Sequence, residues 1–82
     1  MLTDLFREEM LSDCLNGVAP LVVQEKLMKY KQSGMDKDTM YDVLDSLRLE
    51  MHQNGNKKAE DIILEYMDFV IGWCNPKLSI FP

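Results

Sequence analysis

Apolar positions recur every three to four residues in four successive stretches of this chain, with polar positions between them. Phe6, Met10 and Cys14 step by four, as do Leu11 and Leu15. Val23, Leu27 and Tyr30 share one helical face, and Met40, Val43, Leu44, Leu47 and Met51 form a clean stripe. Such spacing predicts amphipathic α-helices. In the fourth stretch Ala59, Ile62, Ile63, Leu64, Tyr66, Met67, Phe69, Val70, Ile71 and Trp73 cover more than half of the helical circumference. Asp61, Glu65, Asp68 and Gly72 share one narrow strip. A helix this apolar is expected to be the hub on which the others pack.

Turn signals separate the stretches. Asn16-Gly17, Ser33-Gly34 and Asn54-Gly55 each place a glycine where a helix can end in left-handed geometry. The predicted helices run from about residue 3 to 15, 20 to 33, 37 to 53 and 57 to 74. Thr3 is the expected first cap with Asp4 at the positive end of the dipole, and Pro20 suits a first helical position. Asp36 and Asn56 open the third and fourth helices, and Met35 is expected to fold back on Tyr30. Asn75-Pro76 stops the last helix, because a residue before proline avoids helical geometry. The run from Leu78 to Pro82 is too apolar to trail in water and should pack back across the bundle.

The expected architecture is all-α: a single small four-helix domain over residues 1–82 with a short apolar C-terminal tail. Short connections should make sequential helices near-antiparallel neighbours. The expected core holds Phe6, Met10, Val23, Leu27, Leu44, Leu47, Ile63, Tyr66, Val70 and Trp73, which gives Trp73 a blue-shifted emission.

Eighty-two residues form one domain that buries roughly 60–65% of its unfolded surface, enough for a modest core without a deep substrate pocket. An apolar fraction of 46% argues against disorder. Seven methionines serve either as adaptable core filler or as a plastic binding surface. The net charge of −5 sets the chain against nucleic acid and anionic membrane, and permits a basic protein partner. No apolar run approaches the roughly 20 residues of a membrane-spanning helix. Cys14 and Cys74 stand apart without a CxxC pair, and no exported-type leader opens the sequence. Reduced thiols and a cytoplasmic setting follow.

Catalytic chemistry is hard to place. The single histidine, His52, lies among polar residues, and both cysteines sit late in helices, where the dipole raises a thiol pKa. No HxxxH, ExxH or CxxC grouping is present, and Asp36, Asp38 and Asp42 lack the glycine and glutamate of a calcium loop. The four glycines are dispersed singly, so no phosphate-cradling loop is formed. No catalytic, cofactor or metal site is therefore expected, and the chain is not expected to be an enzyme.

The distribution of charge says more. Residues 1–17 set Asp4, Glu8, Glu9 and Asp13 against Arg7, whereas residues 18–35 set Lys26, Lys29 and Lys31 against Glu25. Residues 36–55 return to acid, with Asp36, Asp38, Asp42, Asp45 and Glu50 against Lys37 and Arg48. Complementarity between helices explains part of this. On the third helix, however, Asp38, Asp42, Asp45 and Leu49 fall on one strip opposite the apolar stripe, with Tyr41 at its edge. Those five residues are the candidate protein-binding site: carboxylates to attract a basic partner, a leucine and a tyrosine to anchor it.

In size, helicity and acidity the chain resembles bacterial immunity proteins that neutralise nuclease toxins, and small antitoxin or adaptor domains. The resemblance is one of class and rests on no residue motif. It implies a stoichiometric inhibitor of a basic protein, working by steering and occlusion. The alternative is a self-associating module, a homodimer that covers apolar surface one small bundle leaves open, such as Leu21 and Met28 on the second helix.

Overall fold

A computed structural model describes residues 2–73 and 76–81. Among them are four helices: α1 (Leu2–Leu15), α2 (Pro20–Gln32), α3 (Lys37–Gln53) and α4 (Lys57–Ile71). The all-α expectation holds, and no strand occurs among the described residues. Among the described residues no helix is long and apolar enough to cross a membrane.

Local chemistry sets most of the boundaries. Asp36 caps α3 by accepting the Thr39 N–H at 2.7 Å, and Asn56 caps α4 by accepting the Ala59 N–H at 3.2 Å. Pro20 occupies the first turn of α2. At the other end of α2, Gly34 turns left-handed at φ 105°. The Met35 N–H then reaches back to the Tyr30 carbonyl at 3.1 Å, and Met35 is buried. That is the fold-back expected of an apolar residue after a glycine stop. α1 begins at Leu2, so Thr3 lies inside the helix and not at its cap.

The core runs through all four helices, with Phe6, Met10, Val23, Leu27, Met40, Leu44, Leu47, Ile63, Tyr66 and Val70 wholly buried. α4 packs against each of the other three, and its closest neighbour is α3. The α3–α4 connection is only the three residues 54–56, so these two form an antiparallel helical hairpin. α1 lies against α3 and α4. Sequential packing is thus only part of the arrangement. α1 and α2 meet chiefly through long side chains: Lys26 reaches Asp13, Tyr30 reaches Glu9, and the Phe6 and Tyr30 rings meet edge-on at 4.8 Å. Those pairs advance along α1 as they retreat along α2, which makes the two helices antiparallel.

Trp73 corrects the sequence reading. It is 80% exposed. Helical periodicity put it on the apolar arc, but Gly72 takes φ 84° and α4 stops at Ile71. Beyond a left-handed residue the 100° step no longer applies, so Trp73 leaves the face it would have shared with Tyr66 and Val70. Cys74 and Asn75, to which the sequence reading carried the helix and its stop, lie outside the described residues, as do Met1 and Pro82. The free-thiol expectation for Cys74 falls there too. Native protein should therefore emit as solvent-exposed indole and shift little on unfolding in urea. A strongly blue-shifted native maximum would contradict the exposed position.

Ile80 is wholly buried, its N–H donating to the Phe69 carbonyl at 2.9 Å. Lys31 Nζ donates to the Ile80 carbonyl at 2.7 Å and stands 5.1 Å from the centre of the Phe81 ring. Gln24 donates to the Leu78 carbonyl at 3.3 Å. Residues 78–81 thus lie along α2 and the end of α4, away from Leu49.

Candidate binding face

The cap at Asp36 fixes the rotational start of α3. Hydrogen bonds from Thr39 hold the Asp36 carboxyl below the usual range. The buried stripe Met40, Leu44, Leu47 and Met51 then points one way, and the predicted site points the other. Asp38 and Asp42 are exposed, and among the described residues neither has an ion-pair partner. Leu49 is 47% exposed. Asp45 is half-buried and accepts from Arg48 Nε at 2.9 Å, so its charge is partly answered within the helix. Tyr41 is half-buried and packs against the core, so it belongs to the edge of this face and partly to the fold.

The two flanks of the strip differ. Toward α1, Arg7 pairs with Glu50 and also reaches Ser46 at 3.4 Å. Toward α4, His52 Nδ1 stands 3.3 Å from the carboxylate of Glu60, a buried acid that the sequence reading did not single out. That pair ties the last turn of α3 to the first turn of α4.

A second cluster lies between α1 and α2. Lys26 Nζ is 2.8 Å from Asp13 and 3.2 Å from Glu9, and Tyr30 donates to Glu9 at 2.7 Å. Beside it opens a shallow cleft of about 310 Å³ lined by Glu9, Lys26, Lys29, Tyr30 and Ser33. The Tyr30 hydrogen bond, with help from Lys26, holds Glu9 below its ordinary pKa. The bond to Asp13 raises Lys26 despite its desolvation. Burial first, then Glu9, pushes Tyr30 up to about 12. Each shift fixes the charge the group already has near neutrality, so none is poised for proton transfer there. Asp13 is buried as well, which its place among the polar positions of α1 does not signal; its partner Lys26 comes from α2.

Cys14 is buried and its thiol points at the Leu11 carbonyl, 3.2 Å away. Burial raises its pKa, and the neighbouring charge of Asp13 adds to the shift. Among the described residues no three His, Cys, Asp or Glu side chains come together as metal ligands would. Compared with protein-family models, with curated proteins and with solved structures, the chain matches none significantly.

Proposed function

We propose that this protein is a non-catalytic binding module, a stoichiometric inhibitor of the immunity or antitoxin kind, for a more basic protein. The outward face of α3 is its contact. The observation that supports this is the exposed Leu49 beside Asp38 and Asp42, two carboxylates with no ion pair among the described residues. Unpaired charge steers a basic partner into encounter, and a desolvated leucine slows its departure.

The partner that co-purifies with tagged protein supplies the test. Asp38→Lys with Asp42→Lys should slow association and flatten its salt dependence, with helical content unchanged. Leu49→Ser should instead speed dissociation; it is a cleaner anchor test than Tyr41, whose loss would also disturb the core. Unchanged kinetics in both variants would refute the α3 face.

A second reading is favoured by one specific observation. Trp73 at 80% exposure and Leu21 at 60% are large apolar groups in water, as a homodimer interface would leave them in a single chain. The molecular mass in dilute solution distinguishes the two.

A further inference from the structure

The α3–α4 hairpin carries a second relation that neither helix shows alone. His52 and Glu60 are paired across it. Each step back along α3 is matched by an equal step forward along α4, because both helices rise about 1.5 Å per residue. Stepping by four, seven and eleven from that pair brings Arg48 level with Leu64, Asp45 level with Met67, and Tyr41 level with Ile71. On each helix these four residues follow the same spacing, so they form two facing stripes along the outer edge of the seam. Met67 lies deep, while Leu64 at 41% and Ile71 at 36% exposure stand out beside the half-buried Tyr41.

The result is a groove that is apolar at Tyr41, Leu64, Met67 and Ile71, is crossed between them by the Asp45–Arg48 ion pair, ends at His52 and Glu60, and has an acidic bank on either side. Asp38 and Asp42 lie on the α3 bank, and Asp61, Glu65 and Asp68 on the α4 bank. Of these, Asp61 is engaged by Lys57 at 3.1 Å. The α3 strip and the polar strip of α4 are two margins of one face.

We propose that the occupant of this groove is a basic amphipathic helix of a partner protein, laid along the α3–α4 seam with its apolar stripe on Tyr41, Leu64 and Ile71. This rests on the α3 face being the binding face, and it extends that face across to α4. A third helix fits because ridges of side chains seat in the groove between two packed helices. Lysines or arginines flanking its apolar stripe meet a carboxylate bank on both sides, and the charge of the banks selects such a helix over an acidic one.

The probe is a labelled synthetic helix of about 17 residues, the span of α3, with leucines on one face and lysines on the other. A peptide of the same composition in scrambled order is its control. The amphipathic peptide should bind more tightly than the scrambled one. Asp38→Lys with Asp42→Lys, Glu65→Lys with Asp68→Lys, and Leu64→Ser should each weaken binding about tenfold. Glu8→Lys with Glu25→Lys, which changes net charge equally on other helices, should leave it unaltered. Loss confined to the α3 variant overturns the groove and leaves the α3 face standing. Equal binding of the scrambled peptide, or no loss in any variant, overturns both. Circular dichroism of every variant confirms that the bundle is intact.

Discussion

Replacing Tyr66 with alanine should remove about half of the stability of this protein. Tyr66 is wholly buried in α4, the helix that touches every other helix, and its hydroxyl donates to the Val18 carbonyl at 2.8 Å. Val18 lies in the connection between α1 and α2, so one side chain fills the core and also ties that connection down. Deleting a buried aromatic costs about 3–5 kcal/mol, because the cavity closes only in part. A domain of this length holds about 4–12 kcal/mol in total. Tyr66→Phe keeps the ring and loses only the hydrogen bond, at about 1 kcal/mol. Urea midpoints of the two variants check the difference. Equal and small effects would show that Tyr66 is not the centre of the core.

Lys26→Met should cost about 2–3 kcal/mol. The variant leaves Asp13, whose side chain is 8% exposed, without its cation. Removing one partner of a fully buried pair costs more; here the lysine end is partly wet, which reduces the penalty. The double variant Lys26→Met with Asp13→Leu should recover much of the loss, since no charge is then stranded. Alkali should weaken the same cluster. Tyr30 and Lys26 both have folded pKa values above their unfolded ones of 10.0 and 10.5. Their stabilisation is therefore complete below about pH 10 and is lost as pH rises through the folded values, for Tyr30 about 12. Glu9 acts in the opposite sense. Its lowered pKa stabilises the fold above 4.5, and that share disappears as pH falls through the folded value. Urea midpoints against pH, with Tyr30→Phe beside wild type, separate the alkaline share of Tyr30 from that of Lys26.

The helices were legible in the sequence because the signals that set them are local. Pro20, Asp36, Asn56 and the left-handed glycines act within a turn of their own positions, and periodicity found the buried stripes of α1 to α4. Trp73 was misplaced because one local signal, Gly72, was read as part of a polar strip and not as a stop. The exposure of Asp38, Asp42 and Leu49 was also readable, since a face opposite a buried stripe points to water. What the sequence hides is any relation between helices. That Asp45 is half-answered by Arg48 could be foreseen from their three-residue spacing. The burial of Asp13 and Glu60 could not, because it depends on α2 and α3 arriving beside them. The alignment of Leu64 and Ile71 with the α3 strip is likewise a property of the hairpin, invisible one helix at a time.

The connection lengths have a consequence for assembly. Bringing α3 onto α4 closes a loop of three residues, 54–56. Bringing Arg7 onto Ser46 and Glu50 closes separations of 39 and 43 residues. Closure entropy grows only as the logarithm of loop length, about 0.6 kcal/mol for each doubling, so the long closures cost roughly 2 kcal/mol more than the short one. The hairpin is thus the part of the bundle whose formation depends least on the rest of the chain, while α1 must be fetched from a distance. Lengthening the turn at 54–56 would erode that advantage, whereas changing the side chains of the outer face would leave it untouched.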